Sequence, residues 1–578
     1  MRTRLLPLLS LLLVVALAGC GGGGSGTTGL EPAPVLPSAP GLDDPTVYSS
    51  AANASLPGAE EAAAVSQQTL TVNGTSLAYV ATAGHLIARS PAGQAEASVF
   101  YVAYTVPAAD PATRPVTFFY NGGPGSASVW LQLGSFGPRR LVTGVPATTA
   151  ARPFPLVDNA EHLLSQSDLV FVNAVGTGYS QALAPFSNQS FWGVDADAAL
   201  FRDFIQRYLV VNSRSASPKY LYGESYGGPR TAVLARRLQD AGVMLDGLVL
   251  QSPALDYNSN CGITSSRDCS DYLPSMAAVG AFHQLSRPLP ASDDVGAAAS
   301  RAYADVTYGP ALLSYLNTGQ QAPALWQPLQ DLTGLPAALW QQNLGISADT
   351  FRRNLLGGQL LGRYDGRMKA AQGSALAADG DPSDTWISAS FAQAITAHLQ
   401  AIGYRNASTY VVLSAAINSW NFSHDGRPLP DTVPDLAAAL AQNPRLRVLA
   451  ISGYHDLATP FHLTETDLSR VDPSRVQVRN YGGGHMSYLD DGTRPRQLAD
   501  LKAFYAHTLA LRAALPAPDR RAQSAAAAVP ADRAGQLQVP GSVAPVDEAA
   551  VQVPLRDPWV PPQVRAEAAK TAAESVGR

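Results

Sequence analysis

Near the middle of the chain, the stretch Gly223-Glu224-Ser225-Tyr226-Gly227-Gly228 lies between a strand pattern and a helix pattern. The apolar and aromatic run Tyr220-Leu221-Tyr222 predicts a buried strand before it, and residues 231–235 predict a helix after it. Glycines on both sides of a serine allow the sharp turn that lifts a hydroxyl clear of a sheet edge. Ser225 is therefore the candidate nucleophile, and an ordinary glycine turn is the alternative.

The composition is typical of a soluble globular protein with enough apolar residues for a large core. The chain has 578 residues, of which 46% are hydrophobic and 15% charged, and its net charge is -5. Length alone allows about two to four domains, or one large domain with insertions. No basic run and no interleaving of basic with aromatic residues stands out, so nucleic acid is not an expected partner.

The amino-terminal end has the pattern of an export signal. Arg2 and Arg4 precede an apolar run over 5–18, which is too short to cross a bilayer. The run ends in Leu17-Ala18-Gly19-Cys20, which resembles the lipobox of bacterial lipoproteins, and a plain signal peptide with an incidental cysteine is the alternative. The resemblance implies a signal peptide over 1–19, acylation at Cys20, and anchoring in the bacterial cell envelope, in the periplasm or at the cell surface.

Two further segments lack the pattern of a core. Residues 20–45 are rich in Gly, Ser, Thr and Pro and predict a flexible tether, whereas residues 516–578 predict an Ala/Pro-rich tail.

Export to an oxidising compartment favours a disulfide between Cys261 and Cys269 over two free thiols.

Between these ends, the apolar pattern predicts a sheet with helices around it. Residues 69–106 alternate in strand fashion around the turn Asn73-Gly74, which predicts antiparallel strands at one edge of the sheet. Further buried strands are predicted at 115–120, 168–172, 220–222, 247–250, 446–451 and 476–478. Helices are predicted at 201–209 and near 498–514.

Residues 256–395 differ from the rest, with Pro- and Ala-rich helical stretches and no regular strand alternation. They predict a mostly helical insertion, a lid over the site, between two parts of the core at 46–255 and 396–515. The predicted fold class is α/β, with a central mixed, mostly parallel sheet.

Two glycine-rich loops follow predicted strands upstream of Ser225. Asn121-Gly122-Gly123-Pro124-Gly125 lies where acyl transfer needs an oxyanion donor, and the backbone amides of Gly123 and Tyr226 would supply two. Gly176-Thr177-Gly178-Tyr179-Ser180 would line the same rim. Phosphate binding is the competing idea, but the spacing is not that of a dinucleotide fingerprint and a Walker lysine is missing.

A serine nucleophile needs a base, and the base needs an orienting acid. Asp456 and His485 follow predicted strands, and glycines at 482–484 would let the histidine loop fold back toward Ser225. His455 is the nearest alternative base. The other histidines with acidic residues nearby are His162, His424 and His462.

Four motifs taken together resemble the serine carboxypeptidases, a family of the α/β-hydrolase clan, over most of residues 69–514. They are the loop at 121–125, Val175 to Ser180, the stretch at 223–228, and Gly483-Gly484-His485-Met486. The resemblance implies an α/β-hydrolase fold with Ser225, Asp456 and His485 as the triad and the Gly123 and Tyr226 amides as the oxyanion hole. It also implies release of C-terminal residues from peptide substrates through an acyl-enzyme, without metal or cofactor.

The resemblance further implies that Asn121, Gly122 and Glu224 hold the terminal carboxylate of a substrate. Two like charges at hydrogen-bond distance disfavour joint ionisation, so Glu224 must share a proton with that carboxylate, and acidic pH is expected. The alternative is a glutamate paired with an arginine such as Arg230.

The chain departs from the family pattern at Ser135. The family places a second glutamate shortly before a Gly-Pro, and counting back from Gly137-Pro138 ends on this serine. The segment at 487–490 and the surroundings of Asp456 also diverge. The sequence therefore leaves open an esterase or acyltransferase on the same machinery, or a surface-binding lipoprotein with a relic site.

Overall fold

The computed structural model describes residues 38–107, 110–261 and 268–515. The predicted signal peptide at 1–19, the predicted lipidation site Cys20 and the predicted tail at 516–578 lie outside these residues. Over the described ranges, no helix is both long enough and apolar enough to span a bilayer.

The strands, in chain order, are β1 (Ser38–Ala39), β2 (Leu42–Asp44), β3 (Ala62–Val72), β4 (Thr75–Arg89), β5 (Ala95–Thr105), β6 (Val116–Tyr120), β7 (Arg139–Leu141), β8 (Leu156–Asp158), β9 (Asp168–Val172), β10 (Gln181–Ala182), β11 (Lys219–Glu224), β12 (Gly247–Gln251), β13 (Gln359–Leu361), β14 (Lys369–Ala371), β15 (Tyr404–Asn406), β16 (Arg447–Gly453) and β17 (Val476–Tyr481).

The α-helices, in chain order, are α1 (Val129–Gly134), α2 (Val194–Val211), α3 (Gly227–Asp240), α4 (Leu273–Phe282), α5 (Asp293–Tyr303), α6 (Gly309–Thr318), α7 (Pro323–Thr333), α8 (Ala337–Gln342), α9 (Ala348–Asn354), α10 (Pro382–Ala401), α11 (Val433–Gln442), α12 (Phe461–Leu468) and α13 (Arg494–Ala514).

One eleven-stranded sheet organises the fold, in the order β1-β3-β4-β5-β9-β6-β11-β12-β16-β17, with β10 beside β5. The strands from β9 to β17 in this order are all parallel. Those from β3 to β9 pair antiparallel. A mixed, mostly parallel sheet with a nucleophile turn after a central strand is the α/β-hydrolase fold, so the predicted fold class is confirmed.

The predicted antiparallel edge is confirmed. Strands β3 and β4 form a long hairpin whose turn is Asn73-Gly74, with left-handed φ values of 50° and 77°. Such values are those that Asn-Gly turns favour. The first strand begins at Ala62, several residues before the predicted run.

Helices cover both faces of the sheet. Helices α2, α3 and α11 share one apolar cluster with the strands, and α1, α10 and α13 share the cluster on the other face. On α2, the residues that recur at helical spacing, Phe201, Phe204, Ile205 and Tyr208, are all buried. The helices predicted at 201–209 and 498–514 are therefore present, within α2 and α13.

Helices α4 to α9 pack around a third apolar cluster, which includes Trp340 and Phe351 together with Leu457 and Leu463 from the chain after β16. The same stretch also holds the hairpin β13–β14, which the composition did not indicate. The predicted boundary between 395 and 396 falls inside α10, which packs on the sheet through Phe391 and Ile395. Cys261 and Cys269 are joined by a disulfide.

The predicted tether reaches too far into the chain. Residues 38–45 are part of the fold, because β1 pairs with β3 and β2 pairs with β15. The Asp44 carboxylate accepts from the hydroxyls of Tyr48 and Tyr404 at 2.8 and 2.6 Å. A few polar residues near a Pro-rich stretch were insufficient to indicate these long-range pairings.

A buried ion pair joins α2 to α3 behind the nucleophile turn. Arg230 Nε and Nη2 donate to the two carboxylate oxygens of Asp197 at 2.6 and 3.2 Å. Arg230 Nη1 donates to the carbonyl of Asn121 at 2.6 Å, and the guanidinium lies over the Phe201 ring at 4.5 Å. Both charged side chains are almost fully buried.

We expect Asp197→Asn to lower the free energy of unfolding by about 3–5 kcal/mol, because it leaves the buried guanidinium without a compensating charge. Chemical denaturation measures this change. Asp43→Asn is the control, since Asp43 forms an ion pair with Arg405 but is 77% exposed. Its effect should stay below about 1 kcal/mol. Equal losses in the two variants would contradict the expected role of burial.

Candidate active site

Ser225 occupies a sharp turn between β11 and α3. Strand β11 ends at Glu224, and Ser225 follows with a φ of 60°, a left-handed value that non-glycine residues rarely adopt. A Cβ at Gly223 would lie 2.2 Å from the Gly227 carbonyl oxygen, so the turn requires glycine there. Ser225 is partly exposed, whereas Glu224 and Tyr226 are buried. Residues 223–228 thus form a nucleophile elbow.

The loop at 121–125 lies directly against this elbow. A Cβ at Gly122 would lie 2.4 Å from the Tyr226 amide nitrogen. Gly123 has a φ of 101° and is exposed. Within the described part of the chain, the amides of Gly123 and Tyr226 donate no hydrogen bond. Both are therefore available to an oxyanion that develops beside Ser225.

The second glycine-rich loop, at 175–180, does not lie at the rim, and that prediction is wrong. All six residues are buried. The Trp192 ring would lie 3.1 Å from a Cβ at Gly176, and the Gly178 amide donates to the Val411 carbonyl at 2.8 Å. Glycines after a strand can serve close packing as well as ligand approach, and here they serve packing.

Asp456 and His485 follow the neighbouring parallel strands β16 and β17, so both reach the sheet edge where Ser225 lies. His485 Nδ1 lies 2.8 Å from Asp456 Oδ2. The other oxygen of Asp456 accepts from the amides of Ala458 and Thr459 at 2.7 and 3.1 Å. The carboxylate is thus held on both oxygens and directed at the imidazole.

The glycine run before His485 lets its loop fold tightly. A Cβ at Gly484 would lie 2.0 Å from the Tyr364 carbonyl oxygen, which accepts from the His485 amide at 2.6 Å. The Tyr364 ring stacks on the imidazole, with centroids 4.8 Å apart. The Ser252 hydroxyl donates to the His485 carbonyl at 2.7 Å. These contacts fix the orientation of the ring.

The net pKa of His485 lies above its ordinary value. Burial lowers the pKa, but the Asp456 carboxylate and its hydrogen bond raise it by more. With Nδ1 facing the carboxylate, we assign the proton to Nδ1, which leaves Nε2 to accept from Ser225. The ring's hydrogen bonds go to Asp456 and Thr459, and among residues the structure describes none reaches Ser225. Such contacts commonly tighten when substrate binds.

Thr459 is a site residue that the sequence analysis missed. Its hydroxyl lies 2.9 Å from Asp456 Oδ2 and 3.0 Å from His485 Nδ1, and it donates to the Ser252 carbonyl at 2.8 Å. A hydroxyl residue three positions after a candidate acid is the signal that could have identified it, because an aspartate at a turn commonly bonds the residues that follow.

His455 lacks the surroundings of a catalytic base. It is buried, and burial, aided by Arg367, lowers its pKa to about 3. Its Nδ1 faces the Gly483 carbonyl at 3.3 Å, and the nearest carboxylate in the described chain, that of Asp293, lies 4.0 Å away. His424 lies between Asp195 and Asp435, and His462 lies between Glu465 and Asp305. In the described chain, Nδ1 of His162 is buried without a hydrogen-bond partner, so no carboxylate orients its ring.

Among the residues that the structure describes, His424, Asp425 and Asp435 form one set with the composition of a metal site. Arg236 lies 3.0 Å from Asp435. Burial lowers the pKa of His424, but hydrogen bonds with Asp195 and Asp435 outweigh it and raise the pKa to about 10. A metal ligand must be a neutral imidazole, so these residues fit an ion-pair network rather than a metal.

Glu224 is buried beside the nucleophile without a cationic partner among the residues described. Asn121 donates to Oε1 at 2.8 Å, whereas Oε2 is closed to solvent and makes no well-formed hydrogen bond with the residues described, although the Tyr488 hydroxyl contacts the carboxyl. Burial raises the pKa of Glu224 to about 7, although His485 opposes the shift. The alternative of a salt bridge to Arg230 is wrong, because Arg230 pairs with Asp197.

Ser135 does not face Glu224. Its hydroxyl donates to the Leu131 carbonyl at 2.6 Å, within the adjoining helix. Its own carbonyl accepts from Arg494 Nη2 at 2.7 Å and from Asn159 at 3.0 Å. The side chain that stands where the family has a second glutamate is therefore committed to local packing.

We expect Ser225→Ala and His485→Ala to abolish labelling by a fluorescent serine-reactive phosphonate, and His455→Ala to retain it. Because His485 accepts the serine proton only when neutral, the labelling rate should rise with pH through its raised pKa. Gel fluorescence measures both effects. Labelling that persists in Ser225→Ala would show that another residue is the nucleophile.

Residues 74–275 match the model of the serine carboxypeptidase family. The match includes the loop at 121–125 and the elbow, and it ends before Asp456 and His485. No curated protein sequence matched the chain.

Solved structures that match part of the chain include proline iminopeptidase from Mycobacterium smegmatis, at 17% identity and a TM-score of 0.33, covering 77% of this chain and 99% of that one. An esterase from Thermogutta terrifontis has 12% identity and a TM-score of 0.31, with coverages of 73% and 98%. Juvenile hormone epoxide hydrolase from the silkworm Bombyx mori has 13% identity and a TM-score of 0.34, with coverages of 75% and 80%. The family match over residues 74–275 confirms the resemblance to serine carboxypeptidases and, with the sheet topology, identifies a serine hydrolase of the α/β-hydrolase type.

Proposed function

We propose that this protein is a serine carboxypeptidase, which releases C-terminal residues from peptides through an acyl-enzyme. The observation that carries the proposal is the buried carboxyl of Glu224, which adjoins the nucleophile, pairs with no cation in the described chain and has a pKa raised by burial to about 7. A neutral carboxyl donates a hydrogen bond to a substrate carboxylate, whereas an ionised one repels it. Asn121 and Gly122 complete the proposed carboxylate site.

In the proposed reaction, the Ser225 hydroxyl oxygen attacks the carbonyl carbon of the last peptide bond while His485 Nε2 takes its proton. Asp456 stabilises the imidazolium, and the amides of Gly123 and Tyr226 bind the oxyanion. His485 then gives the proton to the leaving nitrogen, and the C–N bond breaks. A water molecule, deprotonated by His485, hydrolyses the resulting ester and restores Ser225.

The second candidate is an esterase or acyltransferase that uses the same serine, histidine and aspartate. Two observations favour it: Ser135 supplies no second carboxyl, and Glu224 Oε2 is closed to solvent. In that case Glu224 supports the elbow and contacts no substrate.

A relic site on a surface-binding lipoprotein is the third alternative. The absence of phosphonate labelling in the native protein as well as in the variants would favour it.

To test the proposal, hydrolysis of one N-blocked dipeptide, its C-terminal amide and its methyl ester is compared from about pH 4 to about pH 8. We expect the ratio of kcat/KM for the free acid to that for the ester to fall about tenfold as pH rises through the Glu224 pKa of about 7. The ratio cancels the requirement for neutral His485, which both substrates share.

Glu224→Gln serves as the matched variant, since the amide stays neutral at every pH and still donates a hydrogen bond. Its ratio should not change across the same pH range. Cleavage of the ester without cleavage of the free acid at any pH would reject the carboxypeptidase and favour the esterase or acyltransferase.

We also propose, on the lipobox pattern alone, that the protein is exported and anchored to the cell envelope through a lipid on Cys20. Cys20→Ser should lose metabolic labelling by a palmitate analogue and move the protein from the membrane fraction to the soluble fraction. Unchanged labelling in this variant would contradict the proposed anchor.

A further inference from the structure

Glu224 Oε2 and the Tyr488 hydroxyl are two buried polar atoms near the nucleophile that make no well-formed hydrogen bond with the residues described, although the two side chains contact each other and Asn121. Glu224 is 2% exposed and Tyr488 is fully buried. Unpaired atoms of this kind are rare in folded proteins because each loses its bonds to water without replacement. Because the two groups also contact each other, one ligand oxygen placed between them would satisfy both.

The packing of Tyr488 brings its ring beside the segment that carries Ser135. A Cβ at Gly134 would lie 3.0 Å from the Tyr488 ring. Arg494 fixes this contact, because one of its nitrogens donates to the carbonyls of both Gly134 and Tyr488, and the other donates to the Ser135 carbonyl. The Tyr488 ring therefore lies beside Gly134, the residue before Ser135, where the family has its second glutamate.

The far end of the tyrosine approaches Glu224. Burial raises the pKa of Glu224, and the charge of His485 opposes that shift. The contact with the Tyr488 hydroxyl and the hydrogen bond from Asn121, in that order of size, also lower the pKa of Glu224. Asn121 also contacts the Tyr488 hydroxyl, and this contact lowers the pKa of that hydroxyl. The hydroxyl, the carboxyl and the amide thus contact one another, next in the chain to Ser225 at Glu224.

We propose that the Tyr488 hydroxyl takes the role of the family's second acidic group, so that Tyr488 and Glu224 together bind the C-terminal carboxylate of the peptide. The inference rests on the proposed carboxypeptidase function and assigns a specificity residue to it. Entry of the carboxylate requires the covering side chains to move, since both atoms are closed to solvent, and side-chain rearrangements of this size are common on binding.

A tyrosine changes the chemistry of such a site. Burial and the neighbouring Glu224 raise the pKa of Tyr488 well above its ordinary value, so the hydroxyl remains a donor at every pH of interest. A second glutamate would need its own proton to bind a carboxylate. With tyrosine in that position, only Glu224 must be protonated, and free-acid binding extends from acidic to nearly neutral pH.

The pH dependence of this site involves several groups. The titratable side chains that influence Glu224 or are influenced by it are His485, Asp456, Tyr488, Tyr222 and Tyr364. All three tyrosines are uncharged near neutral pH because burial raises each pKa. His485 is required equally for esters and acids, so the acid-to-ester ratio again isolates Glu224.

The test is Tyr488→Phe, which removes only the hydroxyl, assayed with the free acid and methyl ester described above. We expect the acid-to-ester ratio at acidic pH to fall about tenfold or more, since a hydrogen bond to a charged group is lost. The fall of the ratio with pH should move to higher pH, because the hydroxyl that lowers the Glu224 pKa is gone. A defect in packing alone would not produce this second change.

Tyr101→Phe is the matched control, because the Tyr101 hydroxyl is also buried and unpaired but belongs to the opposite face of the sheet. Its ratio should equal that of the native protein. Tyr488→Leu, a second variant without the hydroxyl, should lower the ratio as Tyr488→Phe does, and calorimetric binding of the free acid to Ser225→Ala should weaken when Tyr488→Phe is added.

The outcomes separate the inference from the function on which it rests. Native protein that prefers the free acid, together with a Tyr488→Phe variant that keeps the preference and its pH dependence, would overturn the role of Tyr488 and leave the carboxypeptidase standing. Native protein without any preference for the free acid would overturn both.

Discussion

The ion pair between Arg230 and Asp197 holds the two parts of the candidate oxyanion hole in position. Its guanidinium belongs to the helix after the elbow, binds a carboxylate from α2 and also binds the carbonyl of Asn121. The two proposed oxyanion donors, Gly123 and Tyr226, lie on the loop and the elbow that this contact connects. A buried ion pair adds little net stability compared with apolar packing, so its main contribution here is geometric.

Burial shifts the pKa of both titratable groups near Ser225, His485 and Glu224, and the partners of each group decide its protonation state. His485 loses hydration but faces the Asp456 carboxylate, so it remains basic enough to accept a proton. Glu224 loses hydration and faces an amide and a hydroxyl rather than a cation, so it holds its proton to about pH 7. Burial of both groups thus supplies a base, His485, and a neutral acid, Glu224, at the same candidate site.

The elbow, the hairpin at Asn73-Gly74 and the buried strands could be predicted because each depends on residues adjacent in the chain. The loop at 175–180 could not, since its burial depends on Trp192 and Val411, which local spacing does not reveal. The contacts of Thr459 and Tyr488 likewise arise where separate loops meet at the sheet edge. Local patterns identify the groups that carry the chemistry, and long-range packing decides which neighbours tune them.

The pairing of β2 with β15 connects residues 42–44 to the part of the chain that supports the glycine loop at 121–125. The chain after β15 supports the glycine loop, since the Ser414 amide donates to the Gly125 carbonyl at 2.8 Å and the Ala127 amide donates to the Val412 carbonyl at 2.9 Å. Residues 42–44 are therefore linked through β15 and these backbone bonds to the loop that holds Gly123. Shortened or immobilised forms of the enzyme that remove residues 42–44 would lose that brace while keeping every catalytic side chain.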